Sequence, residues 1–167
     1  MSKIAFIFPG QGAQKTGMGK DFYEQSQRAA EIYDAASKRL KEEMEIDIRT
    51  LCFDENDKLD QTAYTQAALV TTCLAMARTL EEKGVRADVT AGLSLGEYCA
   101  IAVAGGMSDL DAVWAVRKRG VLMEEAVPTG VGAMAAVLGL SAEQIEKVTE
   151  EIKGVTVANY NCPRQVV

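Results

Sequence analysis

Apolar residues recur along this chain in two rhythms. Ile4 to Phe8 is a short apolar run closed by Pro9-Gly10, which predicts a buried strand feeding a glycine-bearing turn. Between Asp21 and Glu43, Phe22, Ala29, Ile32, Tyr33, Ala36 and Leu40 come at helical spacing with charges between them, which predicts one amphipathic helix. Leu69, Val70, Cys73, Leu74, Met76, Ala77 and Leu80 repeat that spacing within Thr65 to Lys83, and Gly84 is placed to cap the end. Val85 to Ala91 reads as a second buried strand. Leu95 to Val103 reads as a packed helix. Ser108, followed by Asp109 and Asp111, supplies an N-cap and an acidic first turn for a helix that Pro128 bounds.

That order of elements implies an α/β fold with a parallel sheet covered by helices and a ligand site at the strand C-termini. Val127 to Gly132 is a small-residue stretch that reads as a hinge, dividing the chain into 1–128 and 129–167. Beyond it, Ala133 to Leu138 reads as a strand and Ser141-Ala142-Glu143-Gln144 as a capping box for a helix to about Lys153. Val155 to Tyr160 reads as another strand, and the last residues to Val167 as one more. A strand-helix-strand series of this kind is the first half of a ferredoxin-like unit. There is no internal repeat and no low-complexity segment.

The 167 residues are 48% hydrophobic and 25% charged, the composition of a soluble globular protein. A net charge of -6 with no basic stripe argues against nucleic-acid binding. The N-terminal apolar run from Met1 is too short for a signal-peptide core, and no segment has membrane-spanning length. Cys52, Cys73, Cys99 and Cys162 are scattered without CxxC pairing, so they read as reduced core or near-core thiols of a cytoplasmic protein. With no histidine in the chain, no metal site is expected.

The chemistry concentrates at Gly92-Leu93-Ser94-Leu95-Gly96, where a predicted strand gives way to a predicted helix. A nucleophile elbow needs this pattern: glycines flank the serine so that the backbone can bend sharply and expose the hydroxyl. A serine hydroxyl also needs a base, and the usual imidazole is missing. Glu97 is no substitute, because a carboxylate of ordinary pKa is a weak base for a hydroxyl. Gly10 to Thr16 imitates a phosphate loop but lacks the glycines and small residue such loops require; it serves better as a donor loop near the elbow. Arg117-Lys118-Arg119 is by default a solvated face. An arginine turned toward the serine would instead grip a carboxylate with two parallel hydrogen bonds. Met76, Met123 and Met134 read as core filler.

Several segments together resemble the malonyl-CoA:acyl carrier protein transacylases of bacterial fatty-acid synthesis. They are Phe8-Pro9-Gly10-Gln11-Gly12, Thr65-Gln66-Ala67-Ala68-Leu69 and Gly92-Leu93-Ser94-Leu95-Gly96-Glu97-Tyr98. Arg119-Gly120, Met123 to Pro128, Gly132 to Ala136 and Asn159-Tyr160-Asn161 extend the likeness over essentially the whole chain.

The resemblance implies an α/β-hydrolase-like large subdomain and the first half of a ferredoxin-like small one. It implies Ser94 as the nucleophile that receives the malonyl group, Arg119 as the clamp for the malonyl carboxylate, and the N–H groups of Gln11 and Leu95 as the oxyanion hole. Gln66, Met123 and Asn161 fall at positions that line or brace the pocket. Malonyl-CoA and an acyl carrier protein are the implied partners, with no cofactor. Three departures stand out. Leu93 takes the place of a common histidine that is not the base, and Arg164 takes the place of a usual glycine. The family's catalytic histidine and its supporting polar residue fall beyond Val167, and whole members run to nearly double this length. The chain is therefore expected to be an N-terminal portion that is inactive alone, missing its C-terminal half. Two other readings of the residues are a non-catalytic module binding acyl-CoA or a carrier protein, and a generic serine esterase with Arg119 merely solvated.

Overall fold

Two strands, β1 (Ala5–Phe8) and β2 (Val89–Gly92), run parallel and in register from Ala5 opposite Val89 to Phe8 opposite Gly92. This is seen in the computed structural model, which describes residues 3–128 and 130–167. Met1 and Ser2 lie outside the described residues, as does Thr129 in the stretch read as a hinge. The fold is mixed α/β, and the chain forms two compact units, Met1–Pro128 and Thr129–Val167.

In the first unit the strands are not the buried ones that their sequence predicts. Ile7 is 77% exposed and Val89 55% exposed, because helix α5 (Gly96–Val103) covers only one face of the sheet. Alternate side chains of a strand point to opposite faces, so Phe8 enters the core while Ile7 cannot. The helix read over Asp21 to Glu43 is two helices, α1 (Lys20–Gln25) and α2 (Gln27–Leu40). Ser26 separates them in an extended conformation. Its N–H still closes α1 onto the Phe22 carbonyl, while its hydroxyl caps α2 by accepting from Ala29 N–H. A further short helix, α3 (Ile48–Phe53), starts at Asp47, whose carboxylate accepts from Arg49 N–H.

Helix α4 (Thr62–Glu82) is the central strut, buried on nearly every side, including polar Thr65, Gln66, Thr71, Thr72 and Thr79. It ends as its sequence predicts. Gly84 adopts φ 85°, and the N–H groups of Gly84 and Val85 close onto the Glu81 and Leu80 carbonyls. Helix α6 (Asp109–Ala126) begins at Ser108, whose hydroxyl accepts from Asp111 N–H. It crosses α4 very closely. A Cβ on Gly120 would stand 2.7 Å from the Thr62 carbonyl oxygen, so only glycine permits this approach.

Beside that crossing Arg117 is buried rather than solvated, correcting the default reading of the Arg117-Lys118-Arg119 run. Its Nη1 donates to the Ala63 carbonyl at 2.5 Å and its Nη2 to the Glu43 carbonyl at 2.7 Å, and the guanidinium lies 4.8 Å above the Tyr64 ring. Lys118 does face solvent, paired with Glu43 at 2.9 Å.

The second unit holds β3 (Val137–Leu138), α7 (Ala142–Glu151), β4 (Tyr160–Cys162) and β5 (Gln165–Val166). Its strands are shorter than predicted, and residues 155–159 precede the strand rather than form it. The order is β3-β5-β4 with both pairings antiparallel. The Ser141 capping box with Gln144 forms as its sequence predicts. Arg164 has a structural use at its unusual position: its guanidinium donates to the Gly139 carbonyl, tying the β4–β5 turn to the end of β3. Cys162 is exposed, correcting its assignment to the core, whereas Cys52 and Cys99 are buried. Met134 is also exposed rather than core filler. Among the described residues no helix is long and apolar enough to cross a membrane.

Candidate active site

The turn between β2 and α5 is dictated by its two glycines. A Cβ on Gly92 would overlap the Gly96 carbonyl carbon, and one on Gly96 would stand 2.5 Å from the Phe8 carbonyl oxygen. The chain can therefore fold back on itself only with glycine at both positions. Ser94, between them, takes φ 54° and is the only non-glycine with positive φ among the described residues. That conformation costs roughly 1–2 kcal/mol for a residue with a Cβ. Strain of this kind persists only where the surroundings enforce it.

Residues from two other elements converge on Ser94. Arg119 of α6 donates from Nη2 to Ser94 Oγ at 3.0 Å and from Nη1 to Gln66 Oε1 at 2.6 Å. Gln66 is wholly buried on α4, and its amide nitrogen is satisfied in turn by Met123 Sδ at 3.3 Å. Both ends of the glutamine amide are thus occupied, which orients it with its oxygen toward Arg119. Met123 is 42% exposed, so it is no core filler. Along the outer side of α6 a cleft of about 510 Å³ opens beside Arg119, walled by Tyr98, Trp114, Leu122 and Met123.

The loop after β1 lies against the elbow. Leu93 N–H donates to the Phe8 carbonyl at 3.0 Å, and a Cβ on Gly10 would meet the Leu93 carbonyl at 3.1 Å. The side chain of Gln11 donates to Thr62 Oγ1 at 3.1 Å, tying the loop to the start of α4. Gln14 stiffens the same loop by accepting from Gly12 N–H and donating to Asp60. Among the described residues the N–H groups of Gln11 and Leu95 donate to no protein acceptor, and Leu95 is fully buried. Backbone N–H groups with no protein acceptor are free to receive an incoming oxygen.

Of the residues singled out by sequence, Ser94, Arg119, Gln66 and Met123 form one connected chain of contacts. Asn161 is an exposed residue of β4 in the second unit. Leu93, in the place of the common histidine, is half exposed. Sequence reasoning missed Thr62 and Arg117. Thr62 carried a weak signal as a polar residue at a helix start; a buried arginine inside a basic triplet carried none.

The comparisons with known proteins agree in direction. Residues 5–167 match the family model described as an acyl transferase domain. The malonyl CoA-acyl carrier protein transacylase of Bacillus subtilis (strain 168) is 49% identical over 172 residues, covering 100% of this chain and 53% of that protein. The crystal structure of MCAT from Streptococcus pneumoniae is 48% identical, with a TM-score of 0.85 over 97% of this chain and 53% of that one. A malonyl-transacylase solved in complex with a type II PKS acyl-carrier protein is 37% identical, with a TM-score of 0.87 over 99% of this chain and 54% of that one. The chain spans about half the length of the curated relatives it matches.

Proposed function

Because this chain belongs to the acyl transferase domain family, we propose that it carries the nucleophile and carboxylate clamp of a malonyl-CoA:acyl carrier protein transacylase. Ser94 Oγ attacks the thioester carbonyl carbon of malonyl-CoA, and the Gln11 and Leu95 N–H groups receive the negative charge that develops on the carbonyl oxygen. The C–S bond breaks, CoA leaves as the thiol, and a malonyl ester remains on Ser94. The phosphopantetheine thiol of the carrier protein then attacks that ester, restoring the hydroxyl. Thioester exchange of this kind calls on no metal or cofactor.

The observation that carries this reading is the Arg119 guanidinium within hydrogen-bond reach of Ser94 Oγ while Gln66 holds its other nitrogen. In a malonyl group only one methylene separates the carboxylate from the thioester carbon. Nucleophile and clamp must therefore be close neighbours, and a neutral acetyl group would leave the guanidinium without its anion. By fixing the acyl group, Arg119 also favours attack by the carrier thiol over attack by water.

The strand-elbow-helix unit supports an α/β-hydrolase-like large subdomain. The β3-β5-β4 order, in which the third strand of the unit lies between its first and second, supports half of a ferredoxin-like small one. Met1–Pro128 and Thr129–Val167 are then parts of those two subdomains. The proton acceptor lies outside these 167 residues, which hold no histidine, so the chain alone has negligible transfer activity. Its scattered cysteines suit a cytoplasmic setting.

Incubation with malonyl-CoA and intact-mass measurement tests the assignment. Slow, stoichiometric malonyl loading that disappears in Ser94→Ala supports it. Loading that persists in Ser94→Ala overturns it, and tight binding of malonyl-CoA indifferent to both Ser94→Ala and Arg119→Ala favours a binding module. Equal loading by malonyl- and acetyl-CoA, unchanged in Arg119→Ala, favours a generic esterase.

A further inference from the structure

Two thiols that the proposed chemistry leaves unused face each other across a helix interface. Cys73 lies on α4 and is partly exposed; Cys99 lies on α5 and is buried. Cys99 Sγ stands 3.9 Å from the Val70 carbonyl, and Val70 precedes Cys73 by one helical turn on the same face of α4. Helical side chains lean toward the N-terminus of their helix, which carries the Cys73 sulfur over the Val70 turn and onto Cys99. The Cys99 S–H donates to that Val70 carbonyl, and the two thiols act on each other across the interface. A second tie holds the helices side by side, since Arg78 Nη2 donates to the Ala102 carbonyl at 3.0 Å.

This arrangement divides the labour between the sulfurs. Interaction with the Cys99 thiol favours the thiolate at Cys73 and outweighs burial, holding its pKa below the ordinary thiol value. The same interaction, followed by burial, pushes Cys99 up and keeps it a thiol. A thiolate is the form that attacks an oxidant. The other cysteines lack these conditions. Cys52 is fully enclosed, and burial pushes its thiol up to about 12. Cys162 is exposed but is the only cysteine of its unit.

We propose that Cys73 and Cys99 are a redox modification site, closing to an intramolecular disulfide in the presence of a hydroperoxide. The Cys73 thiolate attacks the peroxide O–O bond, forming a sulfenic acid and, with one proton taken up, releasing water or an alcohol. The Cys99 sulfur then attacks the sulfenic sulfur, its proton leaves with the hydroxyl as water, and the S–S bond forms. Two thiols are oxidised and one peroxide is reduced. The bridge would tie α4 to α5, the helix that starts at the Ser94 elbow.

The test uses the Cys162→Ser chain, to remove intermolecular pairing, with the unaltered chain beside it. Each is treated with a small excess of hydrogen peroxide in native buffer, quenched, alkylated and mapped without reduction. The expected result is one linked peptide pair, Cys73 with Cys99, reversed by dithiothreitol, with Cys52 still available for alkylation after denaturation. Cys73→Ser should abolish the linkage, and oxidation in concentrated urea should scramble it. The proposal is overturned if all three thiols survive, if Cys73 proceeds to sulfinic acid with Cys99 free, if Cys52 enters the bridge, or if urea leaves the pairing unchanged. None of these readouts depends on acyl transfer, so the result stands apart from the assignment of Ser94.

Discussion

Thr62 and Gln66 stand one turn apart at the head of α4, and each holds one side of the Ser94 site. Thr62 Oγ1 accepts from the Gln11 side chain at 3.1 Å, and Gln66 Oε1 accepts from Arg119 Nη1 at 2.6 Å. One helical turn thus sets the spacing between the proposed oxyanion loop and the proposed carboxylate clamp. The two anchors should separate on mutation. Gln66→Leu frees Arg119 and should cut the preference of Ser94 loading for malonyl- over acetyl-CoA by roughly 10-fold, the scale of one charged hydrogen bond. Thr62→Val loosens only the Gln11 loop and should slow loading by both esters alike. Mass-resolved loading rates for the two esters decide this, and a ratio altered by Thr62→Val but not by Gln66→Leu would break the assignment.

The elbow glycines predict a stability effect as well as a chemical one. Gly96→Ala places a methyl 2.5 Å from the Phe8 carbonyl, a backbone group that cannot rotate aside. Overpacking of this kind costs about 1–3 kcal/mol. Gly84→Ala is a control of a different kind: its Cβ meets nothing within 4 Å, so only the strain of φ 85° remains, roughly 1–2 kcal/mol. Thermal unfolding should show a loss in both variants, and Ser94 loading should fail in Gly96→Ala alone.

Much of this architecture is legible in the sequence where a local rule has a single solution. The elbow glycines, the Ser108 and Ser141 caps and the Gly84 stop are such cases, because each satisfies backbone groups within one turn of itself. The break at Ser26 is not legible by periodicity, since Phe22 and Ala29 keep a helical spacing across it while the Ser26 hydroxyl finds Ala29 N–H and Thr79. The exposure of Ile7 and Val89 depends on which sheet face is covered, which no residue of the strands encodes. Among the site residues, the Arg119 contact to Ser94 joins positions 25 apart in sequence, and the Gln66 contact joins positions 53 apart. Periodicity alone reaches neither, and only the resemblance places those residues at one site.

Arg117 illustrates the opposite case, a residue that sequence sends to solvent and the fold buries. Its two carbonyl contacts pin the first turn of α4 and the end of the segment after α2 to α6. Arg117→Met keeps the bulk but removes the charged donor from both carbonyls, and a charged hydrogen bond is worth about 1.5–3 kcal/mol. The expected loss is about 2–4 kcal/mol in urea unfolding. Arg117→Lys should recover little, because an ammonium cannot span two carbonyls and stack on Tyr64 at once. Full recovery by lysine would show that charge alone, not the planar fork, is what the site uses.

Acid should weaken the first unit through Asp47. Hydrogen bonds from the Arg49 guanidinium, against the pull of burial and with help from Arg49 N–H and Ser37, hold its carboxyl below the usual range. A carboxylate depressed in the folded state binds protons more readily once unfolded. Its stabilisation is therefore complete above the unfolded value, about 4, and is lost as pH falls through the lower folded value. Both partners are more than a third exposed, so the ion pair is worth only about 0.5–1 kcal/mol. Asp47→Asn isolates it, because asparagine caps α3 as well as aspartate does but carries no charge. Urea unfolding at pH 7 should show the variant weaker by about 0.5–1 kcal/mol, and near pH 2 the two proteins should unfold together. A gap that persists at the acid end would assign the effect to the cap rather than the charge.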